Sequence, residues 1–153
     1  MRVFTIIMNY SQTQMRYLCS EHPTKRFMML KVKIDTKEIF HVICIEEKEL
    51  TANMAEILED IIAKKQLEAE KSLVIDLNEV QSIAPEVMQT ILKLHESTYA
   101  NRKSIVLCHL QPGVRQALDA AGLSDSLNIT PTASEAWDIV QMEEIERELD
   151  MDI

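Results

Sequence analysis

Leu73-Val-Ile-Asp-Leu-Asn-Glu-Val-Gln-Ser-Ile-Ala-Pro-Glu-Val-Met-Gln-Thr-Ile-Leu92 changes its period partway along. Residues 73–77 are branched and apolar apart from Asp76, which predicts a strand buried on both faces. Asn78 and Glu79 break the run. Pro85 suits the first position of a helix, because its missing N–H would lack an intrahelical partner there anyway. From that point Met88, Ile91, Leu92, His95 and Tyr99 recur at helical spacing on one face. A buried strand running directly into an amphipathic helix is the first half of a right-handed βαβ unit.

The same grammar extends both ways. Upstream, Met29-Leu-Lys-Val-Lys-Ile-Asp35 alternates apolar and polar residues, Asp35-Thr36-Lys37 makes a turn, and residues 39–45 form an apolar run suited to an antiparallel partner. Thr51 is placed to cap a helix with the stripe Met54, Ile57, Leu58, Ile61 and Ile62. Downstream, residues 104–110 read as a further buried strand. Pro112 opens a helix with Val114, Ala117, Leu118 and Ala121 inward, and Gly122 is its C-terminal cap. Residues 127–130 predict a brief strand. Thr132-Ala-Ser-Glu135 is a capping box for a last helix through Ala136, Trp137, Ile139, Val140 and Ile145. The expected fold class is α/β, a mixed sheet started by an antiparallel hairpin, continued by parallel strands and covered by about four helices.

Composition bounds the function. The chain has 153 residues and a net charge of −9, with 46% hydrophobic and 27% charged residues. Such a balance fits one globular domain and argues against a phosphate-backbone binding surface, so nucleic acid is not an expected partner. No apolar run approaches the roughly 18 residues of a membrane span. Four bases against one acid give residues 1–27 a charge of +3, and they lack a clear period. They are expected to be a leader, disordered or the product of an over-long start, with the domain proper at 28–142. Residues 143–153 carry Glu143, Glu144, Glu146, Glu148, Asp150 and Asp152 against Arg147, which predicts an acidic helix end, solvated and weakly held against the macrodipole.

The residues of catalysis and metal binding form no motif. Gly113 and Gly122 are the only glycines, so no glycine-rich phosphate cradle can be built. Cys19, Cys44 and Cys108 are far apart and odd in number, which argues against structural zinc or a disulfide framework. Cys44 and Cys108 are read as small buried hydrophobes, a usage that suits a reducing cytoplasm. His22, His41, His95 and His109 are at no metal-ligand spacing from one another. His41 and His109 are expected to be satisfied strand histidines. Adjacent Cys108 and His109 are expected to point to opposite faces of their strand, which denies them a nucleophile–base pairing. No catalytic, cofactor or metal residues are assigned, and an enzyme is not expected.

Residues 73–92 resemble the signature region of STAS domains, the anti-sigma factor antagonist family. That family reads as a strand ending Asp-Leu, a turn, a Val, then Ile-Asp-Ser-Ser-Gly-Leu opening a helix. Without a gap, Asp76-Leu77, Val80 and Ile83 fall on its Asp-Leu, Val and Ile. Ser104-Ile-Val-Leu-Cys-His-Leu-Gln-Pro-Gly-Val-Arg-Gln-Ala-Leu-Asp-Ala-Ala-Gly-Leu123 is similar to the family's next strand and its Pro-x-Val-Arg-x-x-Leu-x-x-x-Gly-Leu. A final helix opening with Ser-Glu-Ala at 134–136 also fits, so the resemblance covers residues 28–142 in order.

The loop departs from the family. Its Asp-Ser-Ser-Gly becomes Ala84, Pro85, Glu86 and Val87, so Glu86 stands at the phosphorylated serine. A carboxylate there is equally ordinary helix-start chemistry and a fixed, partial imitation of a phosphate. The resemblance implies a non-enzymatic regulatory module. Its partner would be an anti-sigma factor or related histidine-kinase-like ATPase, docked on the loop from Ser82 to Glu86 and the following helix. The candidate partner-binding residues are Ser82, Ala84, Pro85, Glu86, Val87, Gln89 and Thr90, with Thr90 an alternative phosphoacceptor. The competing reading is a STAS subunit that regulates the ATPase of an ABC-type lipid transporter.

Overall fold

The computed structural model describes the backbone of residues 4–8, 14–19 and 28–151, and side chains from Leu30 onward except that of Glu68. A seven-stranded sheet has the order β1-β2-β3-β4-β6-β8-β9. Antiparallel β3 (Met28–Thr36) and β4 (Phe40–Ile45) form the expected hairpin. Parallel pairing then carries the sheet through β6 (Ser72–Asp76), β8 (Ile105–Cys108) and β9 (Ile129–Thr130). Three helices connect strands, α1 (Ala52–Glu68), α2 (Pro85–Ala100) and α3 (Pro112–Ala120), and a fourth, α4 (Ala133–Met151), follows β9. The mixed α/β sheet with about four helices is therefore observed.

Two strands precede the point at which the sequence opened the domain. β1 (Phe4–Met8) and β2 (Gln14–Cys19) pair antiparallel with each other, and β2 pairs with β3. The other residues of the 1–27 leader lie outside the described residues. A separate ladder also forms, between β5 (Glu49–Leu50) and β7 (Ser82–Ile83).

Alternation along the strands divides the core between two faces. Ile43 and Ile45 of β4, Leu73 and Ile75 of β6, and Ile105 and Leu107 of β8 belong to the large cluster with Leu58 and Ile61 of α1, Ile91 of α2 and Leu118 of α3. Their neighbours of opposite parity, Phe40, Val42, Val74, Val106 and Cys108, pack with Ala136 and Val140 of α4. Gly122 has φ +73, the left-handed conformation expected of a helix cap. Thr132 Oγ1 accepts from Glu135 N–H at 3.3 Å, one half of the expected capping box.

The acidic end of α4 differs from the sequence expectation. Glu143 accepts from the Tyr99 hydroxyl at 2.9 Å and from the Ser104 hydroxyl. Arg147 donates to Ser104 Oγ at 2.6 Å and lies 3.4 Å from Glu144. This part of the helix is anchored by charge-assisted hydrogen bonds rather than left solvated. Trp137 and Ile145, apolar residues of the same helix, are 36% and 56% exposed. Helical phase explains it: Ala136 and Val140 occupy the buried face.

Burial and the neighbouring Glu143 carboxylate push the Tyr99 hydroxyl from its usual 10.0 up to about 12. The unfolded chain releases this proton first, so over that window the unfolded state binds fewer protons and stability falls as pH rises from about 10 to about 12. Tyr99→Phe is expected to flatten that limb of the stability–pH curve, measured by urea denaturation. Parallel curves for the two proteins would exclude the linkage.

Candidate functional site

β6 ends at Asp76, and the chain then follows a bonded path to α2. Val80 N–H donates to Leu77 O at 3.1 Å, and the side chains of both residues are fully buried. Gln81 N–H donates to Lys48 O at 2.7 Å, Ile83 pairs with Leu50, and Ala84 N–H donates to Leu50 O at 2.8 Å. Gln111 from the start of α3 donates to Asn78 O at 2.6 Å. The backbone of residues 81–84 is thus pinned by the β5–β7 ladder, while the α3 entrance holds Asn78 ahead of it.

Ala84 occupies the N-cap of α2 in an extended conformation and supplies no side-chain cap. Pro85 takes the first helical position and Glu86 lies in the first turn, near amides that favour a negative charge. Ser82, Pro85, Glu86 and Gln89 are exposed, whereas Ala84 and Thr90 are half-buried. Pro85, Glu86, Gln89 and Thr90 lie on one face of the first turns of α2, and Ser82 and Ala84 belong to the segment that leads into it. Val87 does not join them. It is fully buried and packs in the large core with Ile91, one turn further on. A residue so placed cannot touch a partner without opening the core, and the i, i+4 spacing of Val87 and Ile91 was its sequence signal.

A second constellation lies on the α4 face, at the carboxyl ends of β4, β6 and β8. The register sets Cys44 beside Asp76 and Asp76 beside Cys108. The Cys44 thiol donates weakly to Asp76 Oδ2 at 3.7 Å. His109 Nδ1 lies 3.2 Å from Asp76 Oδ1 and 4.0 Å from Cys108 Sγ. The opposite-face expectation for Cys108 and His109 is therefore overturned. His109 follows the last residue of β8 and has φ +54, so strand alternation no longer applies to it. Cys108 is nonetheless a poor nucleophile, because burial, then the Asp76 charge and Cys44, push its thiol up to about 12. Burial, then Asp76, likewise raise Cys44 to about 11.

The other described histidines differ. His41 is buried and satisfied as expected, with Thr36 Oγ1 3.0 Å from Nδ1 and Ala69 O 3.0 Å from Nε2. His95 packs against Tyr99 with ring centroids 4.6 Å apart and planes tilted by 49°, and burial lowers its pKa.

Comparison with known proteins adds the family frame. Residues 32–136 match the family model of the STAS domain. An anti-sigma factor antagonist of Thermotoga maritima superposes with a TM-score of 0.64 at 17% identity, over 72% of this chain and 94% of that one. An anti-sigma factor antagonist of Mycobacterium paratuberculosis gives 0.62 at 19% identity, over 73% and 94%. The murine Slc26a9 anion transporter gives 0.60 at 15% identity, over 93% of this chain but 22% of the transporter. No curated protein matches the sequence significantly. Among the described residues, no helix is long and apolar enough to cross a membrane.

Proposed function

The chain belongs to the STAS domain family, and from that premise we propose that it is a non-enzymatic regulatory module of the anti-sigma factor antagonist kind. It binds its partner through the exposed ridge of Ser82, Pro85, Glu86 and Gln89, with Ala84 and Thr90 at its margin. The partner is an anti-sigma factor or related histidine-kinase-like ATPase, met in the cytoplasm.

The observation that carries the reading is Glu86. It is exposed in the first turn of α2, on a loop whose backbone is already bonded. A rigid loop loses little conformational entropy on docking. At the place of the family's phosphorylated serine, Glu86 supplies a permanent charge that no serine kinase or phosphatase can alter. It carries less charge and fewer acceptors than a phosphate, so it weakens a phosphate-sensitive contact without abolishing it.

Affinity capture with mass spectrometry, run in parallel on the wild type and Glu86→Ser, tests this. The serine variant is expected to enrich an ATPase-type regulator by about tenfold, since removing a like charge at a contact recovers affinity of that order. Failure to recover any such regulator with either protein would count against the reading. Recovery of ABC transporter subunits, indifferent to residue 86, would replace it with the lipid-transport alternative and leave Glu86 as helix-start chemistry.

A further inference from the structure

We propose that Asp76 Oδ1, Cys108 Sγ and His109 Nδ1 form a binding site for a thiophilic divalent cation, with Zn²⁺ the ion their chemistry fits. No metal site is expected from the sequence, because the cysteines are odd in number and far apart and no histidine stands at a metal-ligand spacing from another. Parallel register nevertheless sets Asp76 and Cys108 on the same rung of the sheet.

The three donor atoms all lie within 4.8 Å of one another. A tetrahedral zinc with arms of about 2.0 Å to N and O and about 2.3 Å to S holds its N and O ligands about 3.3 Å apart and its S and N ligands about 3.6 Å apart. The corresponding separations here are 3.2 Å for Asp76 to His109 and 4.0 Å for Cys108 to His109. The third pair, Asp76 and Cys108, lies within 4.8 Å, so binding requires the sulfur to rotate toward the other two donors. A thiolate, an imidazole and a carboxylate together select Zn²⁺ over Mg²⁺ or Ca²⁺, which prefer an all-oxygen shell.

The surroundings supply the other features of a metal site. Asp76 Oδ2 already accepts from Cys44, and Asp76 Oδ1 is approached by Asn78 N–H at 2.9 Å, so the carboxylate has oriented outer partners. A cavity of about 190 Å³, lined by Lys33, Cys44, Glu46, Asp76, Asn78 and Glu79 among others, reaches the carboxylate from solvent. The His109 side chain is 34% exposed and that of Asp76 18%, so two of the three donors can be approached from solvent. His109 holds a left-handed backbone conformation that is uncommon outside glycine, and such outliers gather where a side chain must be aimed. On binding, Zn²⁺ displaces the Cys108 thiol proton, which passes to solvent as the Zn–S bond forms.

The test uses the full chain, reduced and stripped of metal, titrated first with Co²⁺ and then with Zn²⁺. One equivalent of Co²⁺ should give a thiolate charge-transfer band that Zn²⁺ bleaches, and Zn²⁺ should raise Tm. Cys108→Ser and His109→Asn should each weaken binding by about tenfold or more, while Cys19→Ser leaves the band intact. Asparagine tolerates the left-handed backbone at 109, so that variant is expected to fold even if Cys108→Ser does not. Absence of the thiolate band, its loss in Cys19→Ser, or unchanged binding in His109→Asn would overturn the site. None of these readouts depends on partner capture, so the site and the regulatory reading fail separately.

Discussion

Glu143→Ala is expected to destabilise the protein by about 2–3 kcal/mol, and Glu143→Gln by about half as much. The alanine variant removes the acceptor of the Tyr99 and Ser104 hydroxyls and one of the two carboxylates facing Arg147. Ser104 is fully buried, so its hydroxyl then depends on Arg147, which is itself a donor. Glutamine keeps one carbonyl acceptor, loses the charge and exchanges the second oxygen for an NH2 donor. The difference between the variants therefore reports what the one retained acceptor contributes. At this chain length a loss of 2–3 kcal/mol corresponds to a Tm lower by about 5–10 °C. Urea denaturation of the three proteins checks the values. A change below about 0.5 kcal/mol in Glu143→Ala, the usual range for a solvated surface position, would show that this end of α4 is as loosely held as its acidity suggests.

The contrast between that network and its sequence marks where pattern reading stops. Buried strands such as β6 and β8 and the helices between them are legible because period and branching report local structure directly. The first acids of the α4 end are misread because six acids look like solvent-facing charge, as Glu146, Glu148 and Asp150 are, whereas the partners of Glu143, namely Tyr99 and Ser104, come from α2 and the residue before β8. β5 and β7 are two residues each, too short to show a period, yet they hold the backbone of residues 81–84. In β2, Met15, Tyr17, Leu18 and Cys19 break strict alternation, which hides a strand. The pairing of His109 with Asp76 and Cys108 depends on a positive φ at a residue other than glycine, which composition does not signal. Val87 was legible in principle. It stands among the candidates because it aligns with the Gly of the family's Asp-Ser-Ser-Gly, although the spacing to Ile91 marks a buried face.

Gly113→Ala carries the other large expected effect, and two opposed terms decide its sign. Alanine in place of glycine within a helix ordinarily gains up to about 1 kcal/mol, because it loses less backbone entropy on folding. At residue 113, however, an added Cβ would lie 2.6 Å from Gln81 O, well inside contact distance. That oxygen belongs to backbone whose N–H is fixed to Lys48 O at 2.7 Å, so no side chain can swing away to relieve the overlap. Overpacking against fixed backbone costs about 1–3 kcal/mol. The clash therefore exceeds the propensity gain, most of which is absent anyway at the second residue of α3. A net loss of about 1–2 kcal/mol is expected, together with displacement of residues 81–86. Amide chemical shifts should change for Gln81 and Ser82 while those of β8 stay in place. A more stable variant with an unmoved loop would mean that α3 approaches the loop less closely than this. If the loop does move, partner capture should fall in Gly113→Ala although every exposed residue of the ridge is unchanged. Docking would then depend on how the β5–β7 ladder and α3 hold the backbone, as well as on the charge at Glu86.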